Sequence, residues 1–175
     1  MQKILLTLGV AVILVNTSKA QSERLTDLRD GRTYKTVVIG SQTWMAQNLS
    51  TRTVEFSCYG MYKADTTSCK KLGTVYTWKV AQVACPNGWH LPSKEEYQQL
   101  LLSLGEDRKH QYDVLVNGEF NALSNGMVPG EVFWTSSETK YQAIGAAFPV
   151  HTHKIFINKM SKDRLASVRC LRNMR

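Results

Sequence analysis

Apolar positions change rhythm several times along this chain, and each change predicts an element. From Thr33 to Ile39 the residues are rich in β-branched side chains and end at Gly40 and Ser41. Gln42 to Leu49 then carries Trp44, Met45 and Leu49. The two runs predict an opening β-hairpin. Ser57 to Gly73 is polar and aperiodic, which predicts a disulfide-pinned loop with one short strand. Between Val75 and Cys85, the positions Trp78, Ala81 and Cys85 recur at helical spacing and predict a helix that turns Cys85 inward, stopped by Pro86, Asn87 and Gly88. Ser93 with Glu96 three residues later forms a capping box, and Tyr97, Leu100, Leu101 and Leu104 share one face before Gly105. This second helix has the strongest signal in the chain. Beyond it come the turn pairs Asn117–Gly118, Asn125–Gly126 and Pro129–Gly130, then strand-like runs at 132–135, 143–150, 154–158 and 166–171. In the last run Arg169 and Arg172 flank Cys170 and are expected to point to the opposite face. The pattern as a whole predicts an α+β fold of two short helices with antiparallel strands, and no internal repeat occurs.

The first 20 residues follow a different logic. Lys3, an apolar run from Ile4 to Val15, and Ser18, Lys19 and Ala20 make a signal peptide with cleavage expected between Ala20 and Gln21. A spanning helix needs about 20 apolar residues, more than this run supplies, and no later segment reaches that length. The expectation is an exported product, in the periplasm, at the cell surface or outside the cell, with no membrane span. About 155 residues remain after cleavage, enough for one domain over 21–175.

Export changes how the four cysteines are read. Cys58, Cys69, Cys85 and Cys170 form an even set in an oxidising compartment, so two disulfides are expected, with three pairings open arithmetically. Spacing favours Cys58 with Cys69 and Cys85 with Cys170. The chain-entropy account assigns such loops roughly 3 and 4 to 5 kcal/mol. No CxxC pair or completing histidine supports zinc. The formal net charge of +8 falls to +6 once Lys3 and Lys19 leave. The excess gathers late, in Lys154, Lys159, Lys162, Arg164, Arg169, Arg172 and Arg175 against Asp163. Such a concentration suits an anionic glycan or lipid headgroup, although alternating strand faces can also scatter it as ordinary solvated charge.

The words Asp30–Val37 and Ile39–Leu49 closely resemble the Fibrobacter succinogenes major paralogous domain family. So do Tyr76–Trp78, Ala84–Ser93, Phe133–Glu138 and Ser167–Cys170, in the same order, so the resemblance covers nearly all of the mature chain. It implies an exported bacterial domain with no assigned biochemical activity. The stretch Gly88, Trp89, His90, Leu91, Pro92, Ser93 and Glu96 is similar to the helix entry of C-type-lectin-like and formylglycine-generating-enzyme-like domains. That similarity implies a C-type-lectin-like fold. In such folds an early-helix cysteine bonds one on the last strand, which matches Cys85 with Cys170.

Candidate chemistry is sparse. His151 and His153 would share one face of a strand, but no carboxylate completes a metal site there. His90 is expected to be a hydrogen-bonded packing residue, and His110 a solvated residue in a charged loop with Asp107 and Asp113. Ser136 and Ser137 lack a nucleophile elbow, and neither HExxH nor a phosphate-cradling glycine loop occurs. The lectin-like resemblance would imply calcium-binding Glu-Pro-Asn, Gln-Pro-Asp or Trp-Asn-Asp motifs, none of which is present. The formylglycine-generating resemblance would imply a copper-binding cysteine pair, whereas disulfides are expected to use all four cysteines. Trp44, Trp78, Trp89 and Trp134 sit among apolar residues and are assigned to the core. Tyr59, Tyr62 and Tyr141 fall in polar loops and, with Lys154 and Lys159, are the candidate ligand contacts. The expectation is a non-catalytic binding or surface-associated module without cofactor. Its partner would be an anionic glycan or envelope protein, with no nucleic acid. An envelope-assembly component and an enzyme with a loop-built site are the alternatives.

Overall fold

The computed structural model describes residues 24–51, 56–58, 74–122 and 130–173. The expected cleavage site at Ala20 and Gln21, together with Tyr59, Tyr62 and Cys69, lies outside them, and the Cys58 side chain is likewise not described. The Cys58–Cys69 pairing therefore also lies outside the described residues.

The fold is α+β, with two sheets and three helices among the described residues. The first sheet has the order β1 (Arg24–Asp27), β2 (Arg32–Ile39), β3 (Gln42–Met45), β10 (Leu171–Asn173). The predicted opening hairpin is β2 with β3, turned at Gly40, whose φ of +59° suits glycine. The second sheet has the order β4 (Phe56–Cys58), β5 (Thr74–Tyr76), β9 (Ala166–Ser167), β6 (Gly130–Glu138), β7 (Ala143–Pro149), β8 (Phe156–Met160). Its pairs are antiparallel except β6 with β9, which meet in parallel at Phe133 and Ser167.

Several expectations need correction. The helix expected over 75–85 shrinks to one turn, α1 (Trp78–Ala81), because Thr74 to Tyr76 pair as a strand with both β4 and β9. After α1 the chain tightens through bonds from Val83 N–H to the Val80 carbonyl and from Ala84 N–H to the Ala81 carbonyl. Cys85 therefore lies beyond the helix. The second predicted helix is α2 (Lys94–Ser103), with the capping box formed between Ser93 and Glu96 and Gly105 beyond its end at φ +84°. A third helix, α3 (Arg108–Asn117), stands where only turns were expected. The Asp107 carboxylate caps it by accepting from Lys109 N–H and His110 N–H, so His110 sits in a helical first turn. The strand expected over 166–171 is split between the sheets, with β9 in one and β10 in the other.

Two apolar cores result. Phe133, Ala146 and Phe148 face α2 and α3, joining Trp44, Tyr97, Leu100, Tyr112 and Leu115. Trp134 and Ala143, on the alternate positions of the same strands, and Met160 on β8 face Tyr34, Met45, Tyr76 and Ala81. The disulfide Cys85–Cys170 borders this second group.

Candidate functional site

The β6–β7 hairpin ends in a tight turn. Thr139 N–H donates to the Gln142 carbonyl at 2.7 Å, and Gln142 N–H donates to Thr139 Oγ1 at 3.1 Å. On this tip Tyr141 is 76% exposed, with Lys140 Nζ 5.2 Å from its ring centroid. Beside the tip, Lys162 pairs with Glu138 and lies 4.6 Å over the Trp78 ring. The Trp78 indole N–H donates to the Thr135 carbonyl at 2.9 Å. Trp78 is only partly buried, and Lys162 covers one of its faces. The tip is also tied to the start of α2, where Lys94 N–H donates to Ser137 Oγ at 2.9 Å. An exposed phenol on a braced turn, flanked by charged groups of both signs, can stack against a sugar ring or a flat apolar group and hydrogen-bond its edges.

The late basic residues do not form one surface. Arg169 is fully buried, and Arg172 lies on β10 in the other sheet, 5.1 Å over the partly buried Trp89 ring. Both placements correct the expected common face opposite Cys170. The chain crosses between sheets at 168–170, where Leu49 N–H donates to the Val168 carbonyl and Met45 N–H to the Cys170 carbonyl, so strand alternation does not run through. Lys159 is exposed on β8 across from Ile144, toward the Tyr141 end of the hairpin. Lys154 is exposed before β8, at the other end of β7, about 13 Å of strand away. The structure thus brings Tyr141, Lys159 and Lys162 to one end and separates Lys154 from them.

His151 and His153 occupy a turn rather than a strand, because β7 stops at Pro149 and β8 begins at Phe156. His153 adopts φ +47°, and its ring packs 5.2 Å from that of Tyr112. Among the described residues no three metal-ligating side chains cluster.

A second polar constellation lies where α2 meets β10. His90 Nε2 and Glu96 Oε1 are 2.8 Å apart, Asn173 Nδ2 donates to the same oxygen at 3.2 Å, and Ser93 N–H donates to Glu96 Oε2 at 2.7 Å. Partial burial raises the Glu96 carboxyl, but these donors outweigh it and leave the group below its usual range. His90 is hydrogen-bonded as expected, but its side chain is 43% exposed. Its partner Glu96 is wholly engaged in holding the helix entry and the last strand together.

The third constellation is internal, and no motif announced it. Arg169 Nε donates to Asn48 Oδ1 at 2.9 Å, Asn48 Nδ2 to Glu131 Oε1 at 2.5 Å, and Ser167 Oγ to the same oxygen at 2.6 Å. The guanidinium also donates to the Phe120 carbonyl and, at 2.6 Å, to the Asn121 carbonyl. Its plane lies 4.6 Å from the Phe120 ring centroid and 5.1 Å from that of Phe133. Burial raises the Glu131 carboxyl, against Ser167, Arg169 and Asn48. Burial lowers Arg169 to about 10, opposed by Glu131. The cluster is a charged strut that ties β6 and β9 to Asn48 and to the segment after α3. Its only sequence signal was an arginine beside a cysteine expected in the core.

These features define an α+β domain with a disulfide between its middle and its end, a buried charged strut, and an exposed aromatic hairpin tip. The chain belongs to the Fibrobacter succinogenes major domain family, which it matches over residues 37–126. No curated protein matches it.

Proposed function

We propose that this chain is an exported, non-catalytic binding module of C-type-lectin-like type, and that the β6–β7 tip around Tyr141 is its ligand contact. The observation that carries the proposal is the 76% exposure of Tyr141 on a turn closed by its own hydrogen bonds. A ring held in place loses little freedom when a ligand stacks on it. Lys159, Lys162, Lys140 and Glu138 supply donors and an acceptor around it, which suits a polysaccharide or another envelope component. Export is compatible with the Cys85–Cys170 disulfide and with the absence, among the described residues, of a helix long and apolar enough to cross a membrane. The lectin-like assignment is supported by that same bond, which joins the segment after α1 to the end of the chain.

Glycan-array and polysaccharide pull-down measurements at low and high salt, with and without calcium, test the proposal. Binding is expected to fall about tenfold in Tyr141→Ala, the equivalent of one lost stacking contact. Binding to no glycan, or binding that Tyr141→Ala leaves intact, removes the tip from the account.

One observation favours a structural role in an envelope assembly instead. Leu28 is 92% and Val83 76% exposed, and the bond from Arg29 Nη2 to the Ala84 carbonyl sets their segments side by side. Loss of a protein partner in Leu28→Ser/Val83→Ser, with no glycan binding by the unaltered chain, would establish that role.

A further inference from the structure

Strand β8 ends the second sheet, and its outer edge is open. It pairs with β7 along all five of its residues, from Phe156 opposite Ala147 to Met160 opposite Ala143. No described residue outside β7 hydrogen-bonds to residues 156–160, so the backbone N–H and C=O groups on the far side are available to a further strand. The other strands that end a sheet, β1, β4 and β10, have four, three and three residues, and β10 is also bridged to His90. Side-chain exposure agrees, since Phe156, Asn158 and Lys159 all face solvent. Charge along this edge has one sign. From Pro149 to Lys162 there is no Asp or Glu, while Lys154 precedes the strand, Lys159 lies within it and Lys162 follows it. Lys162 is held by Glu138, whereas Lys154 and Lys159 form no ion pair with a described residue.

We propose that β8 accepts an acidic, extended segment of a partner protein as an added antiparallel strand. Backbone bonds along an open edge hold any strand, so the side chains decide which one. Lys159 and Ile157 share the face turned toward α2 and α3, and Phe156 and Asn158 share the other. A strand laid antiparallel along β8 therefore presents an acid opposite Lys159, a polar residue opposite Asn158, and apolar residues opposite Ile157 and Phe156. A second copy of this chain is disfavoured, because both edges and both chains are basic. Lysine in an edge strand discourages indiscriminate pairing, and here it leaves an acidic strand as the favoured partner. The inference does not depend on what the hairpin tip binds, although Lys159 borders both places.

Fluorescence anisotropy of the oxidised chain with two labelled peptides tests it. One carries the run Thr-Glu-Thr-Val-Val between threonines, and the other has lysine in place of the glutamate. The glutamate peptide is expected to bind saturably at low salt, about fivefold more tightly than the lysine peptide, and to weaken as salt rises. Lys159→Glu should reverse that order. Amide hydrogen exchange with the glutamate peptide bound is expected to slow at residues 156–160, and Tyr141→Ala should bind the peptide as the unaltered chain does. No binding of the glutamate peptide, equal binding of the two, or slowed exchange that spares β8 overturns the proposal. Loss of peptide binding in Tyr141→Ala would also overturn it, by moving the contact to the hairpin tip.

Discussion

Asp27 shows how one buried carboxylate can set the acid limit of the fold. Its side chain accepts from Arg29 Nε at 2.9 Å, Arg29 Nη2 at 2.7 Å, Arg29 N–H at 3.0 Å and Thr51 Oγ1 at 2.7 Å. The Arg29 side chain is the largest cause and, with the other donors, overcomes burial to hold the carboxyl at about 2, below the ordinary 3.8. A group depressed on folding stabilises the native state above its unfolded value, and that contribution disappears as pH falls toward the folded value. Because Arg29 is 40% exposed and partly screened, the contribution is set at about 1–2 kcal/mol rather than the full shift. Asp27→Asn is therefore expected to lower the urea midpoint at neutral pH, and the gap from the unaltered chain to close as pH falls from about 4 to 2. A gap independent of pH would assign the loss to packing. Arg169 argues the opposite limit, of charge with no solvent at all. Arg169→Met strips the Phe120 and Asn121 carbonyls of a donor and leaves Glu131 buried without its cation, at an expected cost of about 3–5 kcal/mol. Adding Glu131→Gln should recover part of that loss. Strict additivity in a double-mutant cycle would show that the two side chains do not act as a unit.

Elements follow local chemistry where the local signal is strong. Ser93→Ala removes the hydroxyl that accepts from Glu96 N–H at 3.1 Å, and the fold is expected to lose about 1 kcal/mol in thermal or urea denaturation. Gly145 is constrained instead by its neighbours across the sheet. A Cβ there would lie 2.2 Å from Met160 Sδ and 3.1 Å from the Phe133 carbonyl oxygen. Gly145→Ala should cost about 1–3 kcal/mol, and the double variant with Met160→Ala should lose less than the sum of the two single costs. The capping box, the β2–β3 hairpin and the β7 run were all legible, because each is specified by residues close in sequence. The third helix was not, because its first turn is charged and only Tyr112, Leu115 and Val116 are buried. The Asp107 cap was the signal available. The shortening of the first helix was equally hidden, since Thr74 to Tyr76 become a strand by pairing with β4 and with β9, the latter some 90 residues later. The exposed Tyr141 was legible from its polar surroundings. The cover that Arg172 lays over Trp89 was not, because it comes from a residue some 80 positions away.

At the scale of the whole molecule, the last eight described residues join everything else. β9 completes the second sheet, residues 168–170 cross between the sheets, and β10 completes the first. Cys170 sits in the crossing and is bonded to Cys85 across a sequence separation of 85. The pairing expected from spacing is the one observed, and closing so long a loop removes about 4–5 kcal/mol of unfolded-chain freedom on the chain-entropy account. Domains of this size are stable by only about 5–15 kcal/mol, so reduction or Cys85→Ser/Cys170→Ser should bring the fold near its limit. The loss should also be uneven. β10 is three residues long and is held by β3, the His90 bridge and the Glu96–Asn173 bond, whereas β6 and β7 pair along most of their length. Hydrogen exchange in the reduced protein is therefore expected to accelerate first at β3 and β10 and last in the β6–β7 hairpin. Uniform acceleration would mean that the disulfide sets global stability alone and that the crossing segment has no local opening of its own.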